Sequence, residues 1–568
     1  MNAPVHPLRH SLASIASPPG LPSPMLRRAL TFATALALVV TAGAGARVAA
    51  RGGATASAPA SSFFISGRGW GHGIGMSQWG AHGFAQQGAT YDQILAHYYR
   101  GTELGRAPVA RIRVLLGEGK KALAIASETA FAVRDGSGTV HRLAPGPHAF
   151  GPTLKLEVDA DAPARALPGP LLFSPGSAPL RYAGKAYRGQ LRVNVVGKRL
   201  QLVNTLGLEP YLYGVVPREV PSDWPAESLK AQAVVARSYA LAVRKTGAYD
   251  VFADTRSQVY GGIAAEKPTT NAAVDATAGE VLLYEGEVAT TFFFSTSGGR
   301  TASIEDVWAN GTPTPYLVSV PDPYETASPH HSWGPYPFTG AKLRSSFKVP
   351  GQLVDVRVAL NKSQRVQTMT LIGTKGQVTV SGSDVRTRLG LRSTWFRVGV
   401  LALDRPAKTV EYGGAIRLTG LARAAGRNLR LEQRVSGRIW EPAARVAPAA
   451  AGVVQVAVKP TTTTWYRLAA SAKIVGQPVR VFVAPRVRLE TTSDSATVRG
   501  LVRPVVPGAR VSVQRLEGSS WRVAGTGTVD VGGAFEVSVD LTPGTYRARV
   551  APGRGLVPGL SPVLRVVG

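Results

Sequence analysis

Two hydrophobic periods alternate along the chain. From Tyr91 to Tyr99, apolar residues fall at 91, 94, 95 and 98, which predicts a short amphipathic helix ending near Gly101. Between Ala110 and Asn204 the period shortens. Ile112–Leu116, Ala122–Ala126, Leu154–Val158 and Leu191–Val195 are strand-like runs separated by Gly, Pro and Asp. Leu229, Ala233, Ala236 and Ala240 then return to helical spacing and form a small-residue face, with Lys230, Arg237 and Tyr239 elsewhere on the helix. The stretch just before it carries Pro217, Pro221 and Pro225, and predicts a turn holding Glu219 at the mouth of a cleft. Ser222 or Asp223 can cap the helix that follows, and Glu227 suits its positive end. Strands are expected at 281–284, 289–294 and through 354–400, with a short helix or turn at 385–391 and no helix between Pro313 and Pro337.

Beyond residue 400 the pattern repeats. Gly420, Trp440 and Tyr466-Arg467 are echoed by Gly500, Trp521 and Tyr546-Arg547. The glycine and the Tyr-Arg pair recur after 80 residues, a period that suits a small β-sandwich. The expected fold is therefore an α+β main domain, with mixed strands and a central helix after the Glu219 turn. Two tandem all-β, Ig-like sandwiches follow at 401–485 and 486–568. The main domain is placed at 63–400, its first part (63–106) rich in glycine, behind a leader (1–50) and a linker (51–62).

Composition narrows the chemistry. With 568 residues the chain exceeds one ordinary core, and its formal charge of +30 favours an anionic environment or partner. The charge is spread thinly and no finger, basic-zipper or ribonucleoprotein signature accompanies it, which argues against nucleic acid. The absence of cysteine excludes disulfides, Cys-ligated zinc and thiol catalysis. Arg27-Arg28 precede an uncharged run to Ala46, and Ala44-Gly45-Ala46 has the form of a cleavage site. A signal peptide is favoured over a membrane anchor. Either places the rest of the chain outside the membrane, secreted or held at the wall, with membrane contact through this segment alone.

Five glycines alternate from Gly67 to Gly75, yet no register satisfies G-x-G-x-x-G, and Gly75-Met-Ser-Gln-Trp-Gly80 is one residue too long for a serine elbow. His330-His331 lacks a third ligand, so neither metal nor cofactor is expected. Ser295-Thr-Ser-Gly-Gly-Arg-Thr301 is a turn rich in hydroxyls and amides. Glu219 is left as a candidate acid, against the plainer reading of a turn carboxylate accepting amide hydrogen bonds. Asp223 is its rival, although capping suits it better.

These stretches together resemble the SpoIID/LytB family of sporulation and amidase-enhancer proteins. The resemblance rests on Asn204-Thr-Leu-Gly-Leu-Glu-Pro-Tyr-Leu-Tyr-Gly-Val-Val-Pro-Arg-Glu219, Leu229-Lys-Ala-Gln-Ala-Val-Val-Ala-Arg-Ser-Tyr239, Ser257-Gln-Val-Tyr-Gly261, the 295–301 turn and the glycine run, across about 63–400. It implies a lytic transglycosylase acting on peptidoglycan glycan strands, with Glu219 as catalytic acid. Lys230, Arg237, Gln258, Tyr260, Thr296, Ser297, His72 and Gln78 are then expected to bind substrate. His72 and Gln78 have an equal alternative as buried polar groups that hold the glycine loop. Some relatives are amidase enhancers, so the second reading is a wall-binding regulator of an amidase. Two departures stand out. Family members carry the glycine run at the end of the domain, which here implies a circular permutation and places 63–66 beside 395–400. Ala253, Arg256 and Ser257 stand where zinc ligands of some relatives fall, so zinc is not expected.

Overall fold

The computed structural model describes residues 61–158, 163–308, 310–424, 426, 428–492 and 496–567. The leader at 1–50 lies outside the described residues. Most of the described chain is β, with helices gathered around one long element.

That element is helix α4, Ala226–Ala242. Its two faces build two cores, as a small-residue helix must when neighbours press on both sides. Leu229, Ala233, Ala236 and Ala240 pack with helix α3 (Leu208–Glu219) and helix α5 (Pro268–Ala276) against a seven-stranded sheet. Ala231, Val234 and Val235 face Ile74 and Met76 of the glycine run, Ala81 of helix α1 (Gln78–Gln86), and Ile94, Leu95 and Tyr98 of helix α2 (Tyr91–Tyr98). The predicted helix over 91–99 is thus present.

Glu219 differs from expectation. It is the last residue of α3, and Pro217 sits inside that helix. A proline in a final turn removes one hydrogen bond close to where the ladder stops anyway, and tertiary packing holds the turn. The residue before α4 is Pro225, and no side chain caps that helix, so Ser222 and Asp223 do not serve there. Of the run 289–294 only Phe293–Phe294 is strand, and the short strand Glu287–Val288 ends just before it. Between Pro313 and Pro337 the chain forms one 3-10 turn, Glu325–Ala327, and begins the strand Ser332–Thr339.

The strand Ser62–Arg68 lies between Ser332–Thr339 and Phe396–Leu403, antiparallel to both, with Phe63 opposite Val400 and Gly67 opposite Phe396. The expected neighbourhood of 63–66 and 395–400 is therefore present. Phe396–Leu403 pairs on its other edge with Ile416–Arg423, which pairs with Val453–Val458. One sheet runs through position 400, where the pattern placed a boundary. Two further β cores follow, one around Leu431, Tyr466 and Val481, the other around Val498, Val513 and Tyr546. Tyr546 donates its hydroxyl back to the Thr542 carbonyl at 2.9 Å, the corner that ties a strand to its preceding turn.

Candidate active site around Glu219

At the end of α3 the chain leaves the helix through Val220, whose N–H still reaches the Val216 carbonyl at 3.1 Å. Glu219 is part-exposed, yet densely surrounded. Burial pushes its pKa up to about 7; the Val259 N–H, donated to the carboxylate, and the Arg218 guanidinium pull the other way without cancelling the effect. Arg218 itself is exposed, which weakens its pull. Tyr211 and Tyr239 stand near enough that the Glu219 charge adds to burial in raising both phenols.

Three segments hold this arrangement. The 257–262 loop docks on α3 and α4: Gly261 N–H donates to the Gly214 carbonyl at 3.0 Å, and Tyr211 Oη to Gln258 Oε1 at 3.1 Å. Gln258 Nε2 donates to the Ala236 carbonyl at 3.3 Å, and Tyr260 Oη to Asn204 Oδ1 at 3.0 Å. A side chain on Gly214 would collide with the Tyr260 ring, so the close approach of loop and helix needs glycine there. From the opposite side, Gln78 Nε2 donates to the Glu219 carbonyl at 3.2 Å. Gln78 opens α1, whose N-cap Ser77 accepts the Gly80 N–H at 3.1 Å. Trp79, His82 and Trp224 form an aromatic triangle, with ring centroids 4.7–5.4 Å apart, beside the turn that follows Glu219.

The stage II sporulation protein (SpoIID) family matches at residues 196–284, the segment containing α3, α4, α5 and the loop. Stage II sporulation protein D of Bacillus amyloliquefaciens is 32% identical over 216 residues, 34% of this chain and 60% of that protein. Its Bacillus subtilis namesake is 30% identical over 220 residues, 34% and 61%. The chain contains a SpoIID-family domain. The amidase enhancer of Bacillus subtilis is also similar, 39% identical over 122 residues, 22% of this chain and 16% of that protein. The chain thus spans less than two thirds of these relatives. A two-domain fibronectin type III segment of chicken tenascin is 15% identical, covering 29% of this chain and 97% of its own at a TM-score of 0.20, too low to assign a fold.

The expected site residues, inside and outside the matched segment 196–284, divide. Gln78, Gln258 and Tyr260 surround Glu219, although Gln258 and Tyr260 are buried and bonded within the protein. Arg237 is 0% exposed; its guanidinium pairs with Glu209 and donates to the Glu280 and Val274 carbonyls. It ties α4 to α3 and α5 and does not face the cleft. Lys230 pairs with Glu227 at 2.7 Å and lies over Tyr91. His72 has both ring nitrogens engaged, Nε2 donating to the Phe293 carbonyl at 3.0 Å and Nδ1 accepting from Ile74 N–H at 3.1 Å. Burial and nearby arginines hold it neutral, pushing its pKa down to about 3. It clamps the glycine run to 293–294, the buried-polar alternative. Thr296 bonds Ser328 at 2.7 Å and Ser297 bonds the buried Asp322, so both brace the 295–301 turn. No cluster able to hold a metal occurs among the described residues. Tyr239, Trp79 and the Val259 N–H were not expected at the site; Tyr239 lies on the helix that the spacing predicts, but off its small-residue face, and nothing in the chain marks it as facing Glu219.

Proposed function

We propose that this chain is an exported, wall-associated peptidoglycan lytic transglycosylase with Glu219 as its acid and base. The observation that carries the reading is a part-accessible carboxylate whose proton affinity is raised to about 7, set by burial, an N–H and Arg218, with no second carboxylate among those influences. A paired-carboxylate hydrolase needs a second acid to activate water or attack the sugar. A single acid suffices here. Protonated Glu219 gives its proton to the glycosidic oxygen as the C1–O bond breaks. The resulting carboxylate takes the proton of the muramyl C6 hydroxyl as that oxygen bonds C1, leaving a 1,6-anhydro end. One proton leaves and one returns, and no water is consumed. The experiment is incubation with peptide-free glycan strands and detection of anhydro ends; activity unchanged in Glu219→Gln would refute the role.

The second reading is an amidase enhancer, favoured by the similarity to the protein of that name. It predicts no strand cleavage but faster turnover by an added wall amidase. Three finer points belong to the same proposal: a cleaved or anchoring leader, a permuted domain closed by the 62–68 and 396–403 strands, and two Ig-like sandwiches at its end.

A further inference from the structure

The two C-terminal repeats carry the same stack and then differ. Arg467 lies over Trp440 at 4.2 Å and bonds Glu432 at 2.8 Å; Arg547 lies over Trp521 at 4.0 Å and bonds Gln514 at 2.9 Å. An arrangement kept in both repeats belongs to the sandwich itself. Only the first repeat extends it. Leu431, Tyr466 and Val481 point into the core, which turns Arg434, Trp465 and Arg480 to the opposite face, where they sit side by side on three neighbouring strands. Arg434 lies over Trp440 at 4.8 Å, while Arg480 lies over Trp465 at 5.5 Å and over Phe482 at 5.0 Å. In the second repeat, the pair opposed like Trp465 and Arg480 is Thr545 and Arg565, with no ring.

The extension exposes an aromatic side chain without need of the fold: Phe482 is 40% exposed. Neither Arg434 nor Arg480 has an ion pair among the described residues, so two guanidiniums are held in place by rings and left without counter-charge. They stand two strand spacings apart, about 10 Å. Residues 401–568 hold 24 Lys and Arg against 10 Asp and Glu. We propose that this face binds a linear anionic glycan, its acidic groups on Arg434 and Arg480 and a sugar face on Trp465 or Phe482. Interleaved rings and cations suit such a polymer because apolar sugar faces and acidic groups alternate along it. The surface is independent of Glu219.

The test uses the full chain and polygalacturonate, with neutral dextran and duplex DNA alongside, by co-sedimentation or biolayer interferometry at two salt concentrations. Polygalacturonate is expected to bind, more weakly at higher salt, and dextran not to bind. Arg434→Gln with Arg480→Gln is expected to weaken binding about tenfold, the loss of two exposed charge contacts. Trp465→Thr, which installs the residue of the second repeat, should weaken it by a similar factor. Glu219→Gln should bind like the parent chain, which separates this surface from the cleft chemistry. Parental binding by the double arginine variant overturns the proposal, as does absence of binding by the parent. DNA bound as tightly, and weakened by the same substitutions, would also overturn it by making the face a general polyanion surface. Should Trp465→Thr fail to fold, the exposed arginine pair still decides.

Discussion

Three carboxylates among the described residues have raised proton affinities, and two of them, Glu219 and Glu325, sit in opposite settings. Glu219 is reached by solvent at the end of α3 and accepts one backbone N–H. Glu325 is 0% exposed, pairs with His331 at 2.5 Å, accepts the Gly298 N–H, and lies beside Asp322. Asp322 in turn takes the Tyr98 hydroxyl at 2.8 Å and those of Ser77 and Ser297. Burial drives the shift in both acids, and Asp322 adds to it for Glu325. A shifted acid therefore marks burial first; access separates an acid that can meet a substrate from one that knots segments together. The Asp322–Glu325 knot ties the start of α1, α2 and the 295–301 turn behind the cleft, which is why the hydroxyls of that turn are spent inside the protein.

The largest expected contrast is kinetic. Glu219→Gln should lower release of anhydro ends by about 10²–10⁴-fold, the usual range for a lost general acid. Glu325→Gln should stay within a few-fold per folded molecule. Equal loss in both variants, with folding checked by circular dichroism, would erase the distinction between cleft and knot. Next comes stability. Glu325→Ala leaves His331 and the Gly298 N–H without their acceptor and should cost about 2–4 kcal/mol in urea unfolding.

Glu219→Gln should move stability the other way. Its folded pKa of about 7 lies above the unfolded carboxylate value near 4.5. The fold therefore favours the protonated form, and the associated stability, full below pH 4.5, is lost as pH rises through about 7. Above pH 7 the parent chain bears a buried charge that glutamine removes. The variant should gain on the order of 2 kcal/mol at pH 8 and little at pH 4.5, read from unfolding midpoints at the two pH values. The same titration predicts that kcat/KM falls above pH 7 with loss of one proton.

How much of this could be read beforehand differs by element. Helix α2 and the small-residue face of α4 follow from periodicity, because each depends on local spacing, whereas the meeting of 63–66 with 395–400 follows from the place of the glycine run compared with the family that the sequence resembles. Glu219 as a helix residue does not, since Pro217 signals a break that packing on α4 and α5 overrides. Arg237 misleads for a related reason: its spacing puts it off the small-residue face, and only the angle between α3 and α4 brings Glu209 to it. The His72 role needed the backbone of 293–294, which lies more than two hundred residues away.

The smallest effect concerns the rival acid. Asp223 is exposed, lies beyond the helix end, and acts on its surroundings by raising the pKa of His82 against burial. It stands outside the enclosure that surrounds Glu219, so it is not placed to serve a sugar held at the helix end. Asp223→Asn should therefore change strand cleavage by less than about twofold, while nudging the His82 titration further down in an NMR pH series. A loss matching that of Glu219→Gln would move the chemistry from the part-buried helix end to the open turn, and with it the explanation of why burial matters here.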